Sequence, residues 1–580
     1  MKKYLVVLLF IIASGCANKG SNVSLSDAWV GEPDSGFRQL QKVEAKNSMV
    51  VSANEIASKA GVEILKKGGN AIDAAIATQL VLNVVEPHSS GIGGGGFLLY
   101  FNKKTGKTIY FNGRETAPAN AKSDMFLDAS GKPKKFSDAV QGGLSVGTPG
   151  LLKILFEAHQ KYGKLAWSQL FAPAIKAAEN GFVVSARFHK LSKQISYLKN
   201  FDETAKIYLH KNGAPYETGE KITNKKLAKT LRKISKQGIK SFYSGKIAQN
   251  IASAVQNSKI NPGYLSLSDL KNYKSKKGEL LCSDYRQYKV CTMPLPAGGV
   301  TLLQILGILE NFDLAKLKPN SLESVHLITE ATRLAYADRN QYLGDVANIS
   351  IDKLLDKNYL KSRADLIDKN RASKKVEAGK FIANDNNLVV NNKAVELPST
   401  THLSVVDKNG NSVALTSSIE YFFGSAISVD GFLLNNQLTD FSFEPIKDGK
   451  KVANALEPFK QPRSSMAPTL VFDQKGKLLM VLGSPGGPRI IQFVAKTIVN
   501  HLDFGLDIQQ SISAPTFVAI NNVIELEKNQ KITELEKGLK KLGHQTKIIE
   551  IVSGVHAISL NNNKLQGGAD PRREGVAVGF

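Results

Sequence analysis

The repeat of the chain changes at residue 400. Between residues 150 and 380 apolar side chains recur at helical spacing, as in Leu151 to Tyr162, Leu227 to Gln237 and Leu322 to Tyr336. A polar stretch from Lys380 to Pro398 follows, with Asn384, Asn386, Asn387, Asn391 and Asn392, and suits an exposed loop. From Thr400 the spacing is that of strands. Thr400 to Val406 and Ser412 to Thr416 are joined through Asp407-Lys408-Asn409-Gly410, and Asn-Gly is a strong hairpin signal. A two-residue turn at Asn409-Gly410 would place Ser418 opposite Thr401, setting a hydroxyl beside the start of the first strand. The 580 residues allow either several domains or one large α/β layer structure, and no internal repeat divides them.

Upstream, Asn54 to Val85 reads as two helices around Gly68-Gly69-Asn70. The run Ser89 to Gly96 then leads into the strand-like Phe97 to Tyr100. It lacks the Lys-Ser/Thr of a phosphate loop and the spacing of a dinucleotide site, so close backbone packing explains it better. The 76 Lys plus Arg exceed the 51 Asp plus Glu by 25. Those cations are dispersed in short clusters, such as Lys132 with Lys134 and Lys135, without interleaved aromatics, which excludes a nucleic-acid footprint.

Lys2 and Lys3, the apolar run Tyr4 to Ile12 and the small residues before Cys16 read as an export signal, too short for a permanent membrane span. Lipidation at Cys16 and a plain secretory signal both fit residues 1–16, and residues 17–37 read as a tether. The expected location is the periplasm or a membrane anchored through lipid. Cys282 and Cys291 flank a midpoint between Arg286 and Gln287. A hairpin turning there would bring the thiols face to face, where an exported protein could keep them oxidised. Two thiols with no His close in sequence make a poor metal site.

From Val50 to Phe580 the chain resembles the gamma-glutamyltransferases, members of the N-terminal nucleophile hydrolases. The resemblance is carried by Gly69-Asn70-Ala71-Ile72-Asp73-Ala74-Ala75, Glu86-Pro87 with the Gly run, Gly113-Arg114-Glu115 and Thr400-Thr401-His402-Leu403-Ser404-Val405-Val406-Asp407. Further matches are Leu434-Asn435-Asn436-Gln437, Ser464-Ser465-Met466, Gly483-Ser484-Pro485-Gly486-Gly487 and Asp570-Pro571-Arg572-Arg573. It implies a four-layer αββα sandwich and a precursor that cuts itself between Ser399 and Thr400. The products would be a large subunit, residues 38–399, and a small one, residues 400–580.

The implied chemistry needs no cofactor or metal, because a Thr at a chain start can use its own α-amino group, with a pKa of about 7.7 to 8, as general base. Thr400 would attack a γ-glutamyl amide such as that of glutathione and pass the acyl group to water or to an amino acid or peptide. The resemblance assigns the oxyanion hole to Gly486 and Gly487, a supporting hydroxyl to Ser418 and the headgroup carboxylate to Arg114 with Ser464 and Ser465. It assigns the headgroup ammonium to Gln437, Asp440 and Glu420. Glu420 stands where many relatives carry Asn, and Ser418 where Thr is usual. The 23 residues between Asp440 and Ser464 are short for a lid over the site, and an open cleft would admit larger γ-glutamyl compounds, with Arg463 meeting an anionic one. Two other readings stand beside this one: a glutaryl or cephalosporin acylase, and an inactive envelope-anchored binding protein.

Overall fold

A computed structural model describes residues 32–347, 349–380, 397–520, 522–561 and 564–580. Cys16, the export signal and most of the polar loop before Thr400 lie outside the described residues.

Two seven-stranded antiparallel sheets form the centre. One runs in the order Val576–Gly579, Met49–Ser52, Thr401–Val406, Ser412–Ser418, Gly95–Asn102, Lys107–Asn112 and Lys276–Gly278. The other runs Val43–Ala45, Lys564–Ala569, His556–Asn561, Leu478–Gly483, Thr469–Asp473, Tyr288–Thr292 and Leu281–Tyr285. Strand alternation sorts their side chains into two cores. Leu98, Tyr100, Leu403, Val405, Val413 and Leu415 face helices Glu55–Lys66, Ala71–Val85 and Leu151–Tyr162. Their neighbours Phe97, Leu99, Phe101, Val406 and Ala414 face the second sheet, where Phe101 meets Phe472 at 5.1 Å between ring centroids. Helices Gly299–Leu309, Ile490–Leu502 and Ile508–Ser513 cover that sheet's far side, which completes the αββα sandwich.

Residues on both sides of position 400 share each sheet. Thr401–Val406 lies between Met49–Ser52 and Ser412–Ser418, and Ser412–Ser418 pairs with Gly95–Asn102. A chain broken before Thr400 would therefore stay interlocked by ladder hydrogen bonds and a shared core.

The helix pair around Gly68-Gly69-Asn70 forms as expected, and Asn70 caps Ala71–Val85 in a reciprocal box with Asp73. The Gly run serves close packing, since a Cβ on Gly94 would lie 2.1 Å from the carbonyl oxygen of Ser418. Cys282 and Cys291 are direct partners in the hairpin Leu281–Tyr285/Tyr288–Thr292 and are joined by a disulfide.

Two expectations need correction. Asp407 pairs with Asn411, leaving a three-residue loop that ends on Gly410 at φ +78°, because the Asp407 carboxylate takes the N–H groups of Asn409 and Asn411. The register moves by one, so Ser417 and not Ser418 faces Thr401. The end of the segment read as a tether is part of the body. Glu32 is buried, the N–H of Ser35 donates to the Arg572 carbonyl, and Arg38 donates to the carbonyls of Arg573 and Gly575. A run with few apolar residues is held there by ion pairs and backbone bonds, which apolar patterning does not reveal.

Candidate active site

The register shift sets the geometry of the site. Thr400, one residue before the first strand, falls beside Ser418, the last residue of the second, and its Oγ1 lies 3.1 Å from Ser418 Oγ. Ser418 Oγ also accepts the N–H of Glu420 at 2.9 Å. Thr400 has φ +99°, a conformation that a β-branched residue rarely adopts and that costs on the order of 1–3 kcal/mol. The surroundings enforce it. Thr401 is anchored by its hydroxyl, which donates to Glu86 at 3.1 Å, and Ser399 by its own, which donates to the His88 carbonyl at 3.0 Å.

A cavity with about 270 Å³ of empty space, part of it open to solvent, has Thr400 and Ser418 in its wall. Arg114, Glu420, Gln437, Asp440, Ser464, Ser465 and Gly487 share that wall, so one cleft gathers nearly every residue expected of the site. Gly486 faces a neighbouring cavity instead. Arg463 does not line the cleft: it is buried and donates to the Arg339 carbonyl at 3.1 Å, which corrects its expected contact with substrate. No residue between Asp440 and Ser464 is in the wall either. That stretch turns away through the short hairpin Ile446–Lys447/Lys450–Lys451 and leaves Ile446 and Phe459 exposed.

Fixed polar groups surround Arg114. Its Nε donates to the Pro462 carbonyl at 3.1 Å and its Nη2 to the Arg463 carbonyl at 2.9 Å and Asp440 at 2.6 Å. Gln437 Nε2 donates to the same Asp440 oxygen at 2.6 Å. The result is a cation and an anion side by side in a buried wall, complementary to a zwitterionic headgroup. Burial raises the Glu115 carboxyl behind Arg114 to about 8, with Arg114 opposing. Glu420 is raised well above the usual carboxylate range, first by burial and then by Asp440.

The uncut chain occupies part of this cleft. Leu397 lines it beside Glu420. A Cβ on Gly487 would stand 2.6 Å from the Leu397 carbonyl oxygen, so glycine is needed where these backbones cross.

Three supporting residues carry no local sequence signal for their roles. Asn436 donates to Glu420 and accepts the N–H of Tyr421. Arg339, in helix Leu322–Tyr342, donates to Ser465 at 2.9 Å. Glu86 lies in the Glu-Pro motif, yet its contact with Thr401 comes from tertiary packing. Among the described residues no group of three or more His, Cys, Asp or Glu could hold a metal ion.

Comparisons with known proteins place this geometry. Residues 57–580 match the family model of gamma-glutamyltranspeptidase. The glutathione hydrolase proenzyme of Bacillus subtilis strain 168 is 38% identical over 571 residues, covering 95% of this chain and 94% of that one. That of Escherichia coli K12 is 38% identical over 548 residues, covering 91% of each. Among solved structures, the cephalosporin acylase of Bacillus halodurans superposes with a TM-score of 0.82 at 27% identity, over 94% of this chain and 97% of that one. The gamma-glutamyltranspeptidase of Helicobacter pylori gives a TM-score of 0.55 at 34% identity, over 59% of this chain and 97% of that one.

Proposed function

The chain belongs to the gamma-glutamyltranspeptidase family, and on that premise we propose that it cuts itself before Thr400 and then uses the freed threonine to cleave γ-glutamyl amides such as glutathione. The observation that carries this reading is the placement of Thr400, with its hydroxyl on Ser418, in one cleft with the Arg114–Asp440 pair.

In the first step Thr400 Oγ1 attacks the Ser399 carbonyl carbon. The peptide C–N bond breaks, an ester forms, and the hydroxyl proton ends on the new Thr400 amine. Water then cleaves the ester, giving a Ser399 carboxylate and a free Thr400. The strained φ at Thr400 favours this step, because it is relieved once the peptide bond is gone. Departure of residues 397–399 uncovers Glu420 and Gly487.

In the mature enzyme the α-amino group takes the Oγ1 proton as the hydroxyl attacks the γ-carbonyl. Arg114, with Ser464 and Ser465, holds the substrate carboxylate, while Asp440, Gln437 and Glu420 hold its ammonium. The N–H groups of Gly486 and Gly487 stabilise the oxyanion. The amine leaves with a proton, and water or a second amine takes the acyl group from Thr400. Export fits the basic and apolar N-terminus, and Cys16 would carry the lipid if one is attached. Among the described residues no helix is long and apolar enough to cross a membrane.

The test is intact mass and N-terminal sequencing beside a Thr400→Ala control. Two chains are expected, the smaller starting at Thr400, with one uncut chain in the control; an uncut chain in both would overturn the mechanism. The likeness to a cephalosporin acylase supports a second reading, a glutaryl acylase. The Asp440 carboxylate argues against it, since a glutaryl group has no ammonium to meet it. Rates on matched glutaryl and γ-glutamyl anilides separate the two readings.

A further inference from the structure

Helix Lys225–Gln237 has two faces of opposite kind. Asn224 caps its start, accepting the N–H of Leu227 at 2.9 Å, and Gly238 at φ +66° ends it. Leu227, Leu231 and Ile234 are buried, and the helix packs on Ala172–Asn180. At about 100° per residue, Lys225, Lys229, Lys233 and Lys236 fall in one stripe about 80° wide on the other side. The first, second and fourth are exposed and Lys233 is half-exposed. The helix holds six basic residues and no acidic one, so cations that look scattered along the chain are gathered by the fold into one row.

Neighbouring carboxylates do not neutralise that row. Glu179 pairs with Arg232 and Glu203 with Lys226, both off the stripe, whereas its four lysines have no ion pair or hydrogen bond through their ammonium groups among the described residues. The row continues onto the preceding strand, where exposed Lys221 pairs in register with Val183, an apolar residue 59% exposed. Helix Ala186–Gln194 begins three residues after Val183 and receives the start of the folded body, through Arg187 with Glu32 and Lys190 with Asp34. The chain therefore enters the fold beside the cationic face. Fifteen residues separate Glu32 from Cys16, a reach of about 55 Å at most.

We infer that this lysine face is a docking surface for the anionic phospholipid headgroups of a bilayer. The inference rests on the export reading of residues 1–16 and is independent of the γ-glutamyl chemistry. A bilayer presents negative charge over an extended plane without fixed geometry, which suits ammonium groups on flexible stems better than it suits the rigid fork of arginine. Val183 adds an apolar contact at the headgroup boundary. A protein partner would call for an apolar centre within the charged rim, and the stripe has none. The short N-terminal segment keeps the face close to the membrane from which the chain emerges, and that nearness raises the effective concentration of headgroups. Docking by this helix fixes which side of the folded body meets the bilayer.

The test is co-sedimentation of the mature protein, freed of residues 1–16 and so carrying no lipid, with vesicles one-third phosphatidylglycerol and two-thirds phosphatidylcholine. Binding is expected at low salt, with loss at high salt and on phosphatidylcholine alone. A lysine near such a surface strengthens binding about fivefold, so replacing Lys225, Lys229, Lys233 and Lys236 together by Gln is expected to weaken it about a hundredfold, while four Arg replacements keep it within a few-fold. Gln is a good helix former at these solvent-facing positions, so the fold is retained. Lys528, Lys531, Lys541 and Lys547 are exposed on the lobe over the other core, and their change to Gln removes the same charge with an expected effect of a few-fold at most. Equal weakening in the two Gln variants would assign the attraction to net charge and overturn the docking face, as would native-strength binding by the first or no binding by the unaltered protein. The N-terminus of the protein isolated from its host reads the export premise separately: a chain still starting at Met1 would overturn that premise, and the inference with it, whatever the vesicles show.

Discussion

Thr400 Oγ1 and Ser418 Oγ stand 3.1 Å apart across the open end of the hairpin, each one residue beyond the last strand pair, Thr401 with Ser417. Two neighbouring strands therefore fix the hydroxyl pair, more rigidly than a loop would. Ser418→Ala would take the partner from Thr400 and the acceptor from the Glu420 N–H. Leaving buried polar groups unmet costs about 1–3 kcal/mol, so maturation should slow about 10- to 100-fold, while Ser418→Thr, which keeps the hydroxyl, should mature within a few-fold of the native rate. The half-time of two-chain formation on a denaturing gel measures this, and native-rate maturation of the alanine variant would count against any role for Ser418.

That hydroxyl pair also shows how far the sequence could be read. Asn409-Gly410 marked the hairpin correctly, but the dipeptide fits two-residue and three-residue loops alike. The choice rested on Asp407, whose carboxylate also accepts the N–H of Ala71 from a distant helix. A local signal cannot carry that contact. The cleft residues were legible because short motifs hold them, whereas Arg339 and Glu32 act from a regular helix and a polar N-terminal segment. Their roles follow from what the fold packs against them. Arg463 misled for the converse reason, since adjacency to Ser464 says nothing about which way a buried side chain turns.

Arg114 tests the headgroup clamp. Its guanidinium reaches the Pro462 and Arg463 carbonyls and Asp440 at once, a fork that an ammonium cannot reproduce. Arg114→Lys keeps the charge and loses the fork, so the KM for γ-glutamyl-p-nitroanilide should rise about 10- to 100-fold, the cost of one charge-assisted hydrogen bond. Initial rates over a range of donor concentrations give the split. A fall in kcat at constant KM would place Arg114 outside substrate binding.

The disulfide fastens an edge. Leu281–Tyr285 is the last strand of its sheet, and the Cys282–Cys291 bond ties it to Tyr288–Thr292 across a sequence separation of nine. A loop that short contributes about 2–3 kcal/mol by restricting the unfolded chain. In a protein of this size that corresponds to about 2 °C in Tm. Calorimetry with and without reductant should show the shift in the native protein and none in Cys282→Ser/Cys291→Ser.

Glu86 predicts a dependence on pH with a definite sign. Burial raises its carboxyl from 4.5 to about 7, with Arg187 opposing and Glu574 adding to the rise. Between those values the folded protein keeps a proton that the unfolded chain has lost, so stability from this group is complete below pH 4.5 and is lost as pH rises through 7. The span corresponds to about 3 kcal/mol at most. Glu86→Gln is neutral at every pH and lacks that loss. Buried His88 and His556, both held below the usual imidazole range chiefly by burial, favour the opposite trend in acid but act in both proteins and cancel in the comparison. In a Thr400→Ala background, which keeps one chain, the stability of Glu86→Gln relative to its parent should therefore rise by up to about 3 kcal/mol from pH 5 to pH 8. Guanidinium unfolding at the two pH values measures it, and a constant difference would show that Glu86 carries the same charge in the folded and unfolded states.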